Sequence, residues 1–165
     1  MRKLIKLARK RLFTWIARRS AGQGRENITA NGYTKLTRKT RLGRNVHFNG
    51  MRINGDGNVV IGDNFHSGEE CLFITSIHNY DTGDAIPYDD TYIHRDITIA
   101  DNVWLGSRVI VLGGVSIGEG AIIQAGAVVT KSVEAFGIAG GSPAKVFKKR
   151  NEEHYLRLKS EGKFH

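Results

Sequence analysis

A histidine at the point where a regular repeat gives way to an irregular stretch is the first candidate for chemistry. His78 directly follows Ile77, and it begins residues 78–96, which follow no repeat. A loop of about 19 residues inside a compact domain is usually functional. Imidazole has an ordinary pKa near 6.5 and can accept a proton at neutral pH. A lone histidine is more often structural, so position alone leaves both roles open for His78.

The stretch after His78 combines aromatic and acidic side chains. Tyrosine faces suit sugar rings, and carboxylates can accept hydrogen bonds from hydroxyl groups. The residues of these two types are Tyr80, Tyr88, Tyr92, Asp81, Asp84, Asp89 and Asp90. Their charge favours a hydroxyl-rich ligand over an anion, which would be repelled. Alternatively, the tyrosines only pack the loop.

The elements that must position this loop come from a repeat of six residues over 99–134. Its first position is always aliphatic and its fifth is small and apolar. The first positions are Ile99, Leu105, Val111, Ile117, Ile123 and Val129, and the fifth are Val103, Val109, Val115, Ala121, Ala127 and Val133. Neither a helix, with period 3.6, nor a strand, with period 2, explains a period of six. Such a repeat predicts stacked units that bury a core only against their neighbours.

Each six-residue repeat is expected to form one short strand and one corner, and three repeats are expected to close one turn of a triangular prism. Residues 18 apart then share an outward face, which pairs Trp104 with Ile122, Ile110 with Val128 and Ser116 with Glu134. Two faces are therefore apolar and one is polar. Exposed apolar strips usually mark contact surfaces, so the pattern predicts a homotrimer of prisms. Alternatively, a loop or the terminal helix covers these faces.

Net charge is concentrated at one end of the chain. Of the formal +9, residues 1–20 carry eight basic side chains and no acid, and the remainder is nearly neutral. We therefore predict no nucleic-acid-binding surface, and no recognition motif for nucleic acid is present. The single cysteine, Cys71, falls at an inward phase and is interpreted as a buried, inert thiol.

Three segments follow from these patterns. The pattern of residues 1–22 predicts a basic amphipathic helix, which either lies on an anionic membrane surface or packs on the prism. Its predicted apolar face comprises Leu4, Ile5, Ala8, Leu12, Trp15 and Ile16. A hinge is expected at 20–24. Residues 23–143 predict the repeat domain with its loop 78–96, and 144–165 a C-terminal helix, from Ala144 to about Ser160, with a tail.

Three runs in this order resemble the hexapeptide-repeat acetyltransferases that use acetyl-CoA. They are Phe73-Ile-Thr-Ser-Ile-His78-Asn-Tyr-Asp, Asn102-Val-Trp-Leu-Gly-Ser107 and Gly140-Gly-Ser-Pro-Ala-Lys-Val146. The resemblance covers roughly residues 58–148. It is closest to the enzymes that decorate capsular, O-antigen or nodulation-factor sugars. It implies an all-β fold, the left-handed parallel β-helix, with an N-terminal and a C-terminal helix.

The resemblance also implies roles for individual residues. His78 would be the general base that activates a sugar hydroxyl, and acetyl-CoA would be a donor substrate, with no permanently bound cofactor and no metal. The acetyl-CoA-binding residues would be Trp104, Gly106, Ser107, Ala125, Thr130, Lys131, Lys145 and Lys148. The candidate acceptor-binding residues are Tyr80, Asp81, Tyr88 and Glu70. Where related sugar acetyltransferases place an acceptor-binding asparagine, this chain has Gly68, followed by Glu69 and Glu70. These glutamates either orient His78 or are surface charges.

Other functions stay open at this point. The runner-up is an antibiotic acetyltransferase of the same fold, although those usually carry a longer loop after the histidine. A metal-dependent hydratase would need histidines that meet across an interface, and His47, His66, His78 and His94 show no such cluster in sequence. A non-catalytic scaffold is the last alternative. We expect a cytoplasmic enzyme that acts on a glycan or its precursor, with residues 1–20 in peripheral contact with the membrane.

Overall fold

The computed structural model describes residues 2–165, which form two helices and a solenoid of short strands. Helix α1 is Arg2–Ser20 and helix α2 is Glu152–Ser160, and a 3₁₀ turn, Arg25–Asn27, follows α1. The solenoid makes about 6 turns, and its strands stack in parallel as three faces of a prism. The predicted left-handed parallel β-helix is confirmed.

The chain visits the three faces in a fixed order, here called B, C and A. Face B holds β1 (Ile28–Ala30), β4 (Val46–Phe48), β7 (His66–Ser67), β12 (Trp104–Leu105), β15 (Ile122–Ile123) and β17 (Gly137–Gly140). Face C holds β2 (Thr34–Lys35), β5 (Met51–Asn54), β8 (Cys71–Ile74), β13 (Ile110–Leu112) and β16 (Val128–Val129). Face A holds β3 (Thr40–Leu42), β6 (Val59–Ile61), β11 (Ile97–Ile99) and β14 (Ser116–Ile117).

Between β8 and β11 the chain leaves the prism as a two-stranded ribbon. Its strands are β9 (Ser76–His78) and β10 (Tyr92–His94), and they pair antiparallel with His78 opposite Tyr92. The ribbon and its tip occupy the predicted loop 78–96. It departs from the corner between faces C and A, so that this corner carries His78.

Burial follows the six-residue pattern. The first and fifth positions of residues 99–134 are all buried, and Trp104 at a sixth position is 55% exposed. Corners take left-handed backbone conformations, as at Asn102 (φ 59°) and Gly120 (φ 67°), where small side chains or amides are favoured. Cys71 is buried, as predicted.

The predicted 18-residue register holds on two faces and fails on the third. Trp104 pairs with Ile122 and Ile110 with Val128. The pairing of Ser116 with Glu134 is wrong, because the last turn is shortened and Ile117 bridges Val133 instead.

Helix α1 packs on the first turn of the prism, but not by its predicted apolar face. The contact uses Ala17, which is fully buried, and the half-buried Phe13 and Thr14. Leu4, Leu12 and Trp15 of the predicted apolar face remain exposed, because they lie on the opposite side of the helix. Within residues 2–165, no helix has the length and apolar character needed to cross a membrane.

The segment that follows α1 is packed, so the expected hinge is wrong. Ala21 is fully buried, and the backbone N–H of Gly22 donates to the carbonyl of Thr40 over 3.1 Å. A side chain at Gly22 would collide with the backbone of Arg38, which explains the glycine.

The C-terminal segment is also different from the prediction. A single helix from Ala144 to about Ser160 is wrong. Residues Lys145–Lys149 instead form β18, which pairs antiparallel with β17 at the end of face B. Helix α2 begins only at Glu152, where Asn151 caps it by accepting a hydrogen bond from the N–H of His154 over 2.8 Å.

Candidate active site

His78 is held between two tyrosine rings at the base of the ribbon. Its imidazole stacks on Tyr88 with ring centroids 3.7 Å apart and lies 4.3 Å from the ring of Tyr92. The antiparallel pairing of β9 and β10 places Tyr92 beside the imidazole. The ribbon tip folds back and stacks Tyr88 on the imidazole as well. Two flanking rings restrict the torsions of an imidazole, so His78 is fixed in orientation.

One ring nitrogen of His78 lacks a partner in this chain. Nδ1 is buried and makes no hydrogen bond with the described residues. A buried polar atom without a partner costs about 1–3 kcal/mol, so native proteins rarely leave one unexplained. A group from outside the single chain is therefore the expected partner of Nδ1.

The acids of the loop divide into structural and free groups. Asp89 accepts hydrogen bonds from the hydroxyl and N–H of Thr91 and from the N–H of Asp84. The bond from the Thr91 hydroxyl is the main cause that holds the pKa of Asp89 below its usual range. Asp89 therefore braces the ribbon tip. Tyr80, which is 65% exposed, and the exposed Asp81 present free groups to solvent.

Glu70 is not beside His78 in the same chain. It sits at the corner between faces B and C, where its Oε2 accepts a hydrogen bond from Nε of Arg108 over 2.8 Å. His78 lies past the other end of β8, at the corner between faces C and A. Of the two roles left open for Glu70, orientation of His78 is excluded within one chain, and the glutamate is a paired surface charge.

Three of the predicted donor-binding residues meet at the corner between faces B and C, which we call the donor corner. Gly106, Ser107 and Ala125 stack there on successive turns. A Cβ at Gly106 would lie 2.5 Å from the nitrogen of Ala125, so only glycine allows this approach. The hydroxyl of Ser107 accepts a hydrogen bond from the N–H of Glu69 over 3.2 Å. A side chain at Gly68 would collide with the Ser107 backbone, so this backbone requires glycine at that position.

Trp104 projects outward from face B beside the chain's own C-terminal tail. A cavity of about 430 Å³ separates Trp104 and Ile122 from Leu158, Phe164 and His165. Face B is therefore partly covered by the tail, and within residues 2–165 Ile110 and Val128 on face C are half-buried.

The predicted phosphate-binding residues fall into two groups. Lys145 and Lys148 lie on β18, and both are exposed. Thr130 and Lys131 follow β16 and are also exposed. Because the turn before β18 lies over the start of β16, through a hydrogen bond from the Ala144 N–H to the Val128 carbonyl, the two groups stand at opposite ends of that strand.

Histidine neighbours that the sequence did not reveal occur on face B. His47 stacks on His66 with centroids 4.6 Å apart, and His66 lies 5.3 Å from the ring of His165. The 19-residue spacing of His47 and His66 could have shown this pair, because it places them on adjacent turns. Burial is the main cause that lowers the pKa of both His47 and His66. The charge of His66 adds to the effect at His47, whereas at His66 a hydrogen bond to the His165 backbone opposes it. Among residues 2–165, no group of three or more histidine, cysteine, aspartate or glutamate side chains is arranged to hold a metal ion.

Comparison with known proteins agrees with this geometry. Residues 96–131 match the family described as bacterial transferase hexapeptide (six repeats). The galactoside O-acetyltransferase of Escherichia coli (strain K12) is 32% identical over 117 residues, which cover 69% of this chain and 57% of that enzyme. A chloramphenicol acetyltransferase of Agrobacterium fabrum is 42% identical over 69 residues, or 42% of this chain and 33% of that enzyme.

A solved structure shows the same fold. The hexapeptide-repeat containing acetyltransferase of Vibrio cholerae O1 biovar eltor, complexed with acetyl coenzyme A, superposes with a TM-score of 0.62 at 25% identity. The superposition covers 79% of this chain and 67% of that one. The six-residue repeat and the three-faced prism that it forms together define a hexapeptide β-helix. The repeat and the fold of this chain are similar to those of the bacterial hexapeptide-repeat transferases. It spans about half the length, or less, of the curated relatives it matches.

Proposed function

We propose that the protein transfers an acetyl group from acetyl-CoA to a hydroxyl of a sugar in a bacterial surface glycan or its precursor. The observation that carries this proposal is His78, an imidazole fixed between Tyr88 and Tyr92 at the base of a ribbon that offers aromatic and hydroxyl-accepting groups. In the related acetyltransferases that the three motifs resemble, the matching histidine is the general base.

In the proposed reaction His78 works through Nε2, because Nδ1 is buried. Nε2 takes the proton of the acceptor hydroxyl while the hydroxyl oxygen attacks the thioester carbonyl carbon. The tetrahedral oxyanion then collapses, the carbon–sulfur bond breaks, and the imidazolium returns the proton to the thiolate of coenzyme A. Donors at Gly106 and Ser107 would hold the oxyanion, a contribution of about 3 kcal/mol per donor.

The remaining donor contacts follow the shape of the prism. Trp104 and Ser107 would line the thioester and pantetheine, and Ala125 would contact the pantetheine through its backbone. Thr130, Lys131, Lys145 and Lys148 would hold the nucleotide and its phosphates. Cationic side chains suit a donor that carries several phosphates.

We further propose a homotrimer in which neighbouring chains share each site. Within one chain His78 and the donor corner lie at opposite ends of the face C strands, and Nδ1 of His78 has no hydrogen-bond partner among residues 2–165. A second copy could bring the two together. Mixing an inactive His78 variant with an inactive Trp104 variant under subunit exchange should restore activity. If mixed trimers form and stay inactive, the shared site is refuted.

The acceptor class is tested by a screen with labelled acetyl-CoA. Neutral glycosides, surface-glycan oligosaccharides and chloramphenicol form the three arms. The antibiotic is the second candidate because of the 42% identity to a chloramphenicol acetyltransferase, although that likeness spans fewer residues than the likeness to the galactoside enzyme. Turnover confined to chloramphenicol would replace the sugar proposal.

A cytoplasmic location at an anionic membrane surface completes the proposal. The exposed Leu4, Leu12 and Trp15 of α1 form one side of a strongly basic helix. Arg11 and Arg19 lie beside this exposed side, with Arg19 over the ring of Trp15, and each cation near an anionic leaflet adds about 1 kcal/mol of attraction. In flotation with anionic vesicles at low salt, the wild type should float and a Leu4→Gln, Leu12→Gln variant should not.

Leu156→Gln supplies the matched control, because Leu156 is an exposed leucine on the other helix. It should float like the wild type. A wild-type protein that remains in the soluble fraction would refute membrane contact and favour a soluble sugar as acceptor.

A further inference from the structure

A groove runs between α1 and the corner that joins faces B and C. It encloses about 880 Å³. On the helix it is lined by Arg2, Lys3, Ile5, Lys6, Leu7, Arg9 and Lys10, and on the prism by Asn31, Asn49 and Glu69. A second recess continues from Arg9 and Glu69 towards Arg52, Arg108 and Ile110 along the same corner.

The way α1 docks explains why five of its eight cations face inward. Phe13 and Ala17 fix the C-terminal half of the helix on the prism. Arg9 and Lys6 precede them on the same side, at the i, i+4 and i, i+3 spacings of a helix. The guanidinium of Arg9 lies 5.6 Å from the ring centroid of Phe13, which holds it in this direction. The N-terminal half therefore overhangs the corner with its basic side towards the prism.

The charges of the groove are unbalanced. Five cations line it together with a single carboxylate, Glu69. Within residues 2–165, none of the five forms an ion pair. Glu70, the next carboxylate along the corner, is paired with Arg108. Cations held close together without partners raise the local positive potential and attract an anion. Guanidinium and ammonium groups form strong, charge-assisted hydrogen bonds with phosphate.

The groove ends at the donor corner. The N–H of Glu69, at its inner end, donates to the hydroxyl of Ser107. The donor's own phosphates are assigned elsewhere, since Lys145 and Lys148 stand on β18 in the last turn of the prism. An anion between α1 and the early turns therefore belongs to the other substrate. The exposed acids of the ribbon repel negative charge, so they favour a substrate whose reacting end is uncharged.

We propose that this groove binds the phosphate or diphosphate group of the acceptor, so that the acetylated sugar is one carried on a phosphate ester. This inference rests on the proposed function. It makes the acceptor two-ended, with a neutral sugar near His78 of one chain and a phosphate beneath α1 of the neighbouring chain in the proposed trimer, bound there by Lys6 and Arg9.

Calorimetric titration with inorganic pyrophosphate tests the groove. The wild type should bind, and a Lys6→Glu, Arg9→Glu variant should bind at least about tenfold more weakly. Arg11→Glu is the matched control, because Arg11 is on the same helix but does not line the groove. It should bind like the wild type, as should protein saturated with coenzyme A. Equal loss in the control, or displacement of pyrophosphate by coenzyme A, would overturn the proposal.

Two further arms separate this inference from the proposed function. A His78→Ala variant should bind pyrophosphate normally although it is inactive. Lys6→Glu, Arg9→Glu should raise KM for a nucleoside-diphosphate sugar and leave a neutral glycoside unaffected. If glycosides are acetylated and pyrophosphate does not bind, the phosphate-binding role of the groove is refuted and the proposed function stands. If pyrophosphate binds and no sugar is acetylated, the proposed function fails. Binding of anionic vesicles but not of pyrophosphate through Lys6 and Arg9 would assign the cations to lipid headgroups and overturn the proposal.

Discussion

The imidazole of His78 and the phenol ring of Tyr88 lie nearly parallel, with centroids 3.7 Å apart and an angle of 17° between their planes. Tyr88 comes from the tip of the ribbon and His78 from its base. The contact therefore ties the position of the proposed base to the folding of the whole ribbon, which Asp89 braces through Thr91.

The first prediction concerns His78. His78→Ala should lower kcat by about 10²–10⁴, the usual contribution of a general base. Affinity for acetyl-CoA should stay near the wild-type value, because the proposed donor contacts lie at another corner. Steady-state kinetics together with equilibrium binding of coenzyme A separate the two effects. Turnover near the wild-type rate would remove His78 from the mechanism.

The second prediction concerns Tyr88. Tyr88→Leu should lower kcat by about tenfold or more, because a base that can rotate spends less time in a reactive geometry. Tyr88→Phe keeps the ring and should retain kcat. If Tyr88→Phe is as slow as Tyr88→Leu, the hydroxyl matters rather than the stacking. Tyr80→Leu, in contrast, should change KM for the acceptor more than kcat.

The third prediction tests the donor phosphates. Lys145→Glu and Lys148→Glu should raise KM for acetyl-CoA much more than KM for the acceptor, because charge reversal replaces attraction with repulsion. Lys149→Glu on the same strand is the control, since Lys149 is already paired with Glu134 over 2.7 Å. Equal effects on both substrates would indicate a structural role for β18.

A fourth prediction follows from the stacked histidines. The pKa of His47 and of His66 is lowered in the native state, so the unfolded chain binds more protons as the pH falls below about 6.5. Stability should therefore decrease on acidification through this window. His47→Gln should flatten the dependence of Tm on pH between about pH 5 and 7.5, and His154→Gln on α2 should not. Identical slopes in all three proteins would contradict this account.

The fifth prediction concerns the anchor of α2. The Tyr155 hydroxyl donates to Glu119 over 2.8 Å and accepts from the Asn102 amide over 2.7 Å. Burial raises the pKa of this phenol. Tyr155→Phe should lower the free energy of unfolding by about 1–2 kcal/mol, since it leaves Asn102 without this acceptor. Tyr33→Phe, at an exposed tyrosine, should have no effect on denaturant unfolding. A Tyr155→Phe protein with unchanged stability would show that water replaces the hydroxyl.

The prism was predictable from the sequence because its core repeats. The aliphatic first positions, such as Ile99 and Leu105, are buried in every turn, since each turn presents the same inward direction. The docking of α1 was not predictable in the same way. Helical spacing defines an apolar side but not its partner, and the contact uses Phe13 and Ala17 on the other side.

The candidate site shows a similar division. The end of the regular repeat correctly indicated that His78 stands where the prism gives way to the long excursion. The donor-binding roles of Gly106 and Ser107 stay predictions. The role of Tyr88 as the stacking partner depends on how the ribbon tip folds, which no local pattern encodes. Strand β18 escaped prediction because all of its side chains are exposed, so its sequence carries no alternation. Its structure comes from pairing with β17.

The way α1 and the segment after it meet the first turn has a consequence for self-association. A solenoid ends in open strand edges, which can pair with another molecule and grow into fibres. Here the Thr14 hydroxyl bonds to both the N–H and the carbonyl of Ala30, the Ser20 hydroxyl accepts from the Leu36 N–H, and Gln23 bridges to Arg41. One edge on each face is thus sealed. Deleting residues 1–21 would remove Thr14 and Ser20 and expose the strand edges of faces B and C, and the resulting end-to-end polymerisation would be mistaken for a change in membrane binding. Point substitutions on the outer side of α1 leave these contacts intact.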